Sequence, residues 1–227
     1  MRLHFCGMAT LQLISDQFQK NATNDHIYHV QDDVWLRPLA EDDAKQSLYL
    51  IDKNRVRLEK WLYWVKNSLT DEDEIVYIKN ARKNILENEA LELGIFIART
   101  TTAWSSSDGN DHRPKDSTLP AADHWKMIGM CGFISTRNSC GTLGYWIDID
   151  YLGKGIITMA CKKIIVVGFE KLGLKQFKIS VEPTNLSSIS VARRLGFETD
   201  GNLHKHNQFG KEVDVLYFVK HSDSLVA

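Results

Sequence analysis

Residues 144–158 read GYWIDIDYLGKGIIT, an order of residue types that predicts a strand, a tight turn and the start of a helix. The strand is predicted over Gly144–Asp150 and the helix over Gly155–Leu172. The first N–H groups of a helix have no partners within it and lie at the positive end of its dipole. Because Gly153 and Gly155 have no side chains, an anion can approach these groups closely, so the turn suits a phosphate or a diphosphate.

The turn does not match the two common nucleotide-binding motifs. The dinucleotide fingerprint G-x-G-x-x-G fails because Thr158 stands at the third glycine position, and because Lys175–Lys178 lies where an acidic residue would be needed. The phosphate-binding loop G-x-x-x-x-G-K-[ST] is absent. A plain connection between a strand and a helix therefore stays open as the alternative to anion binding. Lys154 adds a positive charge beside the turn or points into water.

Strands and helices surround this stretch in an irregular order and without an internal repeat. Hydrophobic periodicity predicts helices over residues 41–54, 55–65, 70–85 and 185–195. Period-2 and buried-strand patterns predict strands over residues 34–39, 91–98, 127–134, 177–181, 197–203 and 213–219. Thr70, followed by Asp73, predicts a helix N-cap with a variant of the capping box. This order of elements is typical of a mixed α/β fold.

Composition limits the class of protein. The chain has 227 residues, 43% of them hydrophobic and 25% charged, which are ordinary globular values. Its 28 basic and 29 acidic residues leave a net charge of −1, which argues against direct nucleic-acid binding. No apolar run reaches the length of about 18 residues that a membrane-spanning helix needs, so no membrane association is expected. Four cysteines without a CxxC pair are typical of reduced thiols in a cytoplasmic protein.

The same patterns predict the domain boundaries. Residues 1–26 are interpreted as an N-terminal leader without periodicity, and residues 27–220 as a single domain. Within that domain, residues 100–124 are rich in Ser, Asp, Gly, Asn and Pro, and are interpreted as a solvated loop inserted between two strands. Residues 221–227 form a C-terminal tail.

The chain resembles the GNAT acetyltransferases, and within them the RimJ/RimL branch that acetylates the N-termini of ribosomal proteins. The resemblance covers residues 27–220 apart from the inserted loop, and it depends on the order and spacing of five segments: WLRPL at 35–39, LEKWL at 58–62, GYWI at 144–147, LGKGIIT at 152–158, and NLSS at 185–188 leading to VARRLGF at 191–197. It implies a mostly antiparallel central sheet flanked by helices, in which splayed parallel strands form an acetyl-CoA cleft.

The resemblance also implies which groups bind acetyl-CoA, the acetyl donor. Backbone groups of Trp146, Ile147 and Asp148 would bind the pantetheine arm and polarise the thioester carbonyl, although Trp146 also fits a buried core aromatic. Asn185 would bind the pantetheine, cap the following helix, or do both. The family has Gln or Arg at the position of Leu152, so a side-chain contribution is missing there. The diphosphate would be held at the turn by Gly153, Lys154, Gly155, Ile156 and Ile157, followed by Thr158.

The resemblance points to one catalytic residue, Ser188, but it does not assign a base. Many members of the superfamily place a proton-donating Tyr at the position of Ala192, whereas the RimJ/RimL branch has a Ser that matches Ser188. Ser188 is therefore the predicted proton donor or hydrogen-bond partner of the CoA thiolate. His206 is the predicted base because its pKa can lie near neutrality. Other candidate bases, which the sequence does not rank, are Glu59, Asp148 and Glu182.

The sequence is compatible with several functions. The leading prediction is an acetyl-CoA-dependent N-acetyltransferase, acting as a monomer or homodimer on an amine such as the N-terminus of a ribosomal protein. A small-molecule amine acetyltransferase and a non-catalytic acyl-CoA-binding module are the alternatives, and a nucleotide-binding protein of another class is a third. A metal site is not predicted, since His204 and His206 have no suitably spaced Cys or carboxylate partner.

Overall fold

The computed structural model describes residues 26–98, 125–208 and 210–225. Within these ranges eight strands form one sheet in the order β1-β2-β3-β4-β5-β6-β8-β7. The strands are β1 Tyr28–Gln31, β2 Val34–Arg37, β3 Leu91–Ala98, β4 Trp125–Phe133, β5 Cys140–Ile147, β6 Gln176–Val181, β7 Leu203–Gln208 and β8 Lys211–His221. The flanking α-helices are α1 Ala44–Leu58, α2 Asp71–Leu86, α3 Ile156–Glu170 and α4 Leu186–Arg194. The predicted mixed α/β class is confirmed.

Two predicted segments lie almost wholly outside the described residues. The predicted leader, 1–26, contributes only His26, and the predicted insertion, 100–124, contributes nothing. Of the predicted tail, His221 belongs to β8, and Ser222–Leu225 forms a short 3-10 helix. No described helix combines the length and the apolar character that crossing a bilayer requires.

The sheet is antiparallel except at one junction. Strands β1 to β5 pair as successive antiparallel neighbours, and β6, β8 and β7 form a second antiparallel group. The two groups meet where β5 and β6 run parallel. The connection from β5 to β6 contains α3, which is the crossover that parallel strands require. The mostly antiparallel sheet with one parallel pair agrees with the predicted architecture.

Each face of the sheet has its own hydrophobic core. One cluster lies between the sheet and helices α3 and α4, and includes Leu93, Ile95, Ile156, Ile164, Phe177 and Phe218. A second cluster lies between the sheet and helices α1 and α2, and includes Ile51, Leu58, Ile78, Phe96 and Trp146. Because side chains of a strand alternate between faces, neighbouring residues of β5 belong to different cores.

Some elements differ from the sequence prediction. The predicted helix 55–65 is wrong: α1 ends at Leu58, Leu62 has non-helical backbone (φ −119°, ψ 86°), and a 3-10 helix covers Tyr63–Asn67. The predicted strand 197–203 is also wrong, because Glu198 forms only an isolated bridge with Val219. A turn closed by the Asn202 N–H and the Asp200 carboxylate (2.9 Å) interrupts it, and β7 begins only at Leu203.

The predicted start of α2 is confirmed by its cap. The hydroxyl of Thr70 accepts a hydrogen bond from the Asp73 N–H (3.2 Å), and the Asp73 carboxylate accepts one from the Thr70 N–H (2.9 Å). These two bonds satisfy donors that would otherwise lack partners at the helix start. The Asp73 carboxylate also accepts a hydrogen bond from the Leu69 N–H (3.0 Å), and this bond, followed by the one from the Thr70 N–H, lowers the pKa of Asp73.

Helix α3 packs against β6 through Gly168. A Cβ at this position would lie 2.4 Å from Cζ of Phe177, whose side chain is fully buried. Gly144, by contrast, has no atom within 4 Å of the place where its Cβ would stand. The two glycines thus offer a matched test of close packing.

We expect Gly168→Ala to lower the free energy of unfolding by about 1–2 kcal/mol. Overpacking costs about 1–3 kcal/mol, and the higher helix propensity of Ala returns up to about 1 kcal/mol. Gly144→Ala should change stability by less than about 0.5 kcal/mol. Urea denaturation of both variants measures the difference. Equal losses of unfolding free energy in the two variants would show that the close contact between Gly168 and Phe177 does not contribute to stability.

Candidate active site

A cleft opens where strands β5 and β6 part. Parallel pairing joins Cys140–Thr142 to Gln176–Lys178 and ends there. Beyond that point β5 continues to Ile147 beside β4, while β6 continues to Val181 beside β8. The space between them has a volume of about 790 Å³. Two facing strand edges that share no hydrogen bonds thus form the walls of the cleft.

The glycine turn lies at one mouth of this cleft. Gly153 and Gly155 have φ angles of +73° and +76°, in the left-handed region that favours glycine. Gly155 is the N-cap of α3, and its carbonyl accepts the first helical hydrogen bond from the Met159 N–H (3.1 Å). Within the described residues, the N–H groups of residues 153–158 donate to no backbone carbonyl. This row of free donors at the positive end of a helix can bind an anion.

The positive charge inside the cleft near the turn comes from Arg194, whereas the side chain of Lys154, which the sequence placed beside the turn, stacks on Tyr151. The ammonium of Lys154 lies 4.8 Å from the ring centroid of Tyr151, so this side chain stacks on a neighbour. Thr158 Oγ1 accepts a 3.4 Å hydrogen bond from Nε of Arg194. Arg194 stands at the end of α4 and lines the cleft. The cation nearest the first turn of α3 inside the cleft therefore comes from another helix.

The backbone of β5 presents alternate residues to the cleft. The Asp148 N–H donates to the Ile128 carbonyl (2.7 Å), which makes this position a hydrogen-bonded pair of the β4–β5 ladder. Trp146, two residues earlier, faces Met130 in the same kind of pair. The backbone groups of Ile147 point the other way, toward the gap. Of the three residues predicted to bind pantetheine through their backbone, the structure brings only Ile147 to the opening.

Helix α1 holds the end of β5 through Asp148. This buried carboxylate accepts hydrogen bonds from Nζ of Lys53 (2.8 Å) and Nδ2 of Asn54 (2.9 Å). Burial acts to raise the pKa of Asp148, but the bonds from Lys53 and Asn54 outweigh burial and lower it. Arg57, one turn further along α1, donates to the Ile147 carbonyl. Asp148 is therefore an anchor for the cleft wall.

The hydroxyl of Ser188 lies 2.8 Å from the hydroxyl of Tyr145. Both residues line the cleft, Ser188 from α4 and Tyr145 from β5. Burial raises the pKa of Tyr145, so its hydroxyl stays protonated near neutrality. Ala192, the position of the superfamily Tyr, is fully buried. A phenol thus reaches the cleft from β5, and the alternation of residues along GYWI could have indicated it.

Asn185 caps α4 as predicted. Its Oδ1 accepts a hydrogen bond from the Ser188 N–H (3.1 Å), and Asn185 lines the cleft. Because the carbonyl oxygen serves the cap, the Nδ2 group remains as a donor. The cap also fixes Ser188 relative to the strand edges.

The candidate bases are spread over different parts of the structure. His206 does not line the cleft: its Nδ1 lies 3.3 Å from the Tyr217 hydroxyl on β7 and β8. Burial, helped by nearby Lys178, lowers the pKa of His206. Glu59 also lies outside the cleft wall, 4.0 Å from Arg55. Of the four candidates, only Glu182 lines the cleft.

Glu182 connects three segments at the second mouth of the cleft. Its Oε1 accepts a hydrogen bond from the Tyr63 hydroxyl (3.1 Å), which belongs to the α1–α2 connection. The Tyr63 oxygen accepts a hydrogen bond from Nζ of Lys211 in the β7–β8 hairpin (3.1 Å). Within the described residues, no group of three or more His, Cys, Asp or Glu side chains is placed to hold a metal ion.

The two mouths lie on opposite faces of the sheet. Tyr145 and Ile147 belong to the face of α3 and α4, together with the glycine turn and Ser188. Trp146 belongs to the face of α1, and its side chain is buried there as the core alternative predicted. On β6, Ile179 and Val181 face α3 and α4, so Ser180 faces the other way. Glu182, which follows the strand, bonds Tyr63 in the segment after α1. The cleft therefore passes between the strands from one face to the other.

Comparison with known proteins identifies this architecture. Residues 33–198 match the acetyltransferase (GNAT) domain. YdaF of Bacillus subtilis strain 168, provisionally named a ribosomal N-acetyltransferase, is 30% identical over 196 residues, covering 83% of this chain and 91% of that protein. The ribosomal-protein-serine acetyltransferase of Escherichia coli K12 is 26% identical over 199 residues, covering 86% of this chain and 96% of that protein.

The chain belongs to the GNAT acetyltransferase family. The predicted resemblance is confirmed, and the chain is an N-acetyltransferase with acetyl-CoA as its acetyl donor. Solved structures share the fold: RimL, an acetyltransferase of ribosomal L7/L12 in complex with CoA, has a TM-score of 0.70 at 20% identity and covers 86% of this chain and 98% of its own. MccE, in complex with acetyl-CoA and AMP, has a TM-score of 0.66 at 23% identity and covers 85% and 94%.

The anchor of this GNAT cleft gives a test of stability against pH. We expect Asp148→Asn to lower the free energy of unfolding at pH 7 by about 1–2 kcal/mol, since hydrogen bonds to a charged group are lost. Asp150→Asn, which removes an exposed carboxylate from the same Lys53, should cost less than about 0.5 kcal/mol.

The pH dependence follows from the lowered pKa of Asp148 in the folded state. Its contribution is complete above the unfolded pKa of about 3.9 and is lost as the pH falls through the lower folded value. The difference between wild type and Asp148→Asn in urea denaturation should therefore shrink at acid pH. A difference that stays constant or grows on acidification would contradict this account of the anchor.

Proposed function

We propose that this enzyme transfers the acetyl group of acetyl-CoA directly to the N-terminal amine of a protein. One observation carries the proposal: the cleft passes through the sheet, with free amides at one mouth and the Glu182 carboxylate at the other. An anionic donor and a cationic amine fit opposite mouths on electrostatic grounds. The names of the Bacillus subtilis and Escherichia coli relatives, which refer to ribosomal proteins, support a protein as the acceptor.

Acetyl-CoA supplies an acetyl group activated as a thioester, and the residues at the first mouth suit its polar parts. The amides of Gly153, Lys154, Gly155, Ile156 and Ile157 would hold the diphosphate, and Thr158 completes the same turn. Arg194 adds a positive charge next to this turn. Asn185 Nδ2 and the Ile147 N–H would serve the pantetheine arm or the thioester carbonyl. A donor aimed at that carbonyl oxygen stabilises the charge that develops there.

The reaction requires no covalent enzyme intermediate. A neutral acceptor nitrogen forms the C–N bond to the carbonyl carbon, and the C–S bond then breaks with its electron pair on sulfur. The nitrogen releases one proton, and the CoA thiolate gains one. None of the described cysteines (Cys131, Cys140 and Cys161) lines the cleft, so direct transfer is consistent with their positions.

Ser188 is placed to protonate or hydrogen-bond the thiolate. When the Tyr145 hydroxyl donates to Ser188 Oγ, the Ser188 proton is free to point into the cleft. The raised pKa of Tyr145 keeps that donor protonated. We therefore assign Ser188 the contact with sulfur, and Tyr145 the role of positioning the Ser188 proton.

Replacement of the two hydroxyls should separate these roles. We expect Ser188→Ala to lower kcat by about tenfold or more and Tyr145→Phe to lower it by a smaller factor, because the Ser188 hydroxyl remains. The Kd for CoA should change little in either variant. Ser190→Ala is the control on the same helix, since the Ser190 hydroxyl is bonded to the Leu186 carbonyl. Steady-state thiol release measures kcat, and a wild-type value in Ser188→Ala would remove Ser188 from the mechanism.

The acceptor class is tested by mass spectrometry of products. Purified enzyme and acetyl-CoA are incubated with a panel of peptides that have free N-termini, and with small-molecule amines. Acetylation at the peptide α-amine would support the proposal. Acetylation of small amines alone would contradict the protein acceptor, and CoA binding without any turnover would favour an acyl-CoA-binding module.

A further inference from the structure

Two buried polar atoms near the second mouth have no partner. Among the described residues, the buried side-chain nitrogen and oxygen atoms without a hydrogen bond are Nε of Arg57 and Oγ of Ser180. Both residues line the cleft. An unpartnered buried polar atom costs free energy, so two such atoms in one cleft call for an explanation.

These atoms share a face with the Glu182 carboxylate. Ser180 lies on β6, and its side chain points to the face of α1 because strand residues alternate between faces. Glu182 follows the last residue of β6, and its carboxylate reaches Tyr63 in the segment after α1. Within the described residues, Tyr63 bonds Oε1 of Glu182, and Oε2 has no hydrogen-bond partner. Arg57 approaches the same face from α1, where Nη2 is held by the Asn54 side chain (2.9 Å) and by the Ile147 carbonyl.

Gly144 leaves room beside this group of residues. A side chain there would point to the same face as Trp146, and nothing lies within 4 Å of the position of its Cβ. The second mouth thus combines an anion, a fixed cation, a hydroxyl and an open stretch of strand. This combination differs from the first mouth, where backbone amides and Arg194 suit an anion.

We propose that Arg57, Ser180 and Glu182 form a subsite that recognises the first residue of a peptide acceptor. Glu182 binds the α-ammonium through its free oxygen and accepts one proton from it, which leaves the neutral, nucleophilic amine. The second proton leaves the nitrogen once the C–N bond has formed, and the CoA thiolate gains one. Arg57 donates a hydrogen bond to the carbonyl oxygen of the same residue. Ser180 turns its hydroxyl toward the peptide by rotation about its single χ1 bond. This inference rests on the proposed function, and it adds the requirement that the acceptor carry a carbonyl next to its amine.

The requirement for a carbonyl can be tested with two acceptors that both have an amine on a carbon with a methyl group. One is a peptide that begins with alanine, and the other is isopropylamine, which has no carbonyl. We expect Ser180→Ala to lower kcat/KM for the peptide by about three- to tenfold and to leave isopropylamine nearly unaffected. Arg57→Lys should lower kcat/KM for the peptide more than for isopropylamine, which also senses the bond from Arg57 to the Ile147 carbonyl. Glu182→Gln should lower kcat/KM for both acceptors. Glu212→Gln, an exposed acid on β8, is the matched control and should behave as wild type.

Three further measurements separate a loss of acceptor recognition from a loss of CoA binding or of folding. The Kd for CoA should be unchanged in Ser180→Ala and Glu182→Gln, because these residues lie at the mouth opposite the glycine turn, and in Glu212→Gln, because Glu212 does not line the cleft. At saturating acceptor, kcat should fall in Glu182→Gln if this carboxylate accepts the proton, whereas a carboxylate that only binds the ammonium would change KM alone. Thermal unfolding shows that each variant is folded before its kinetics are compared.

The outcomes distinguish the inference from the function on which it rests. Wild-type enzyme that transfers acetyl to neither acceptor, nor to any other peptide, would contradict the proposed function. Transfer by wild type, with equal losses for peptide and isopropylamine in Ser180→Ala and Arg57→Lys, would overturn the subsite. A wild-type kcat in Glu182→Gln, with only KM raised, would overturn the proton-accepting role of Glu182.

Discussion

The loss of pairing between β5 and β6 after three residues on each strand is the constraint on which the rest of the site depends. In a continuous sheet the facing backbone groups would bond to each other and the gap would close. Here the other edges of both strands are satisfied, β5 by β4 and β6 by β8, so the sheet holds together while the inner edges stay free. Arg57 meets one of these free carbonyls, that of Ile147.

The two faces of the opening receive different chemistry because different helices cover them. Helices α3 and α4 bring the glycine turn, Arg194 and Ser188 to one side, where donors predominate. On the other side, helix α1 brings Arg57 to the Ile147 carbonyl, and the segment after α1 brings the Tyr63 hydroxyl to Glu182. A thioester that enters from the first face and an amine that enters from the second would meet between the strands, which is the arrangement that direct transfer requires.

Much of the fold was predictable because it depends on local signals. The long helix after the glycine turn, the Thr70 cap and the Asn185 cap follow from residues close together in the chain. The turn amides of the site were predictable for the same reason. The Asp148 anchor, the Tyr145–Ser188 pair and the position of Arg194 join residues 36 to 95 positions apart, so no local pattern could specify them. The near-neutral pKa of an imidazole made His206 a candidate base, but side-chain chemistry does not specify position, and the fold places its ring beside Tyr217 and outside the cleft wall.

The central claim is that the amides of residues 153–157 hold a diphosphate while the acetyl group lies between β5 and β6. A crystal structure of the enzyme with acetyl-CoA measures this most directly. The account predicts diphosphate oxygens within hydrogen-bond distance of those amides, and the thioester beside Ile147 and Ser188. A donor bound on another surface, or a diphosphate that these N–H groups do not contact, would contradict it.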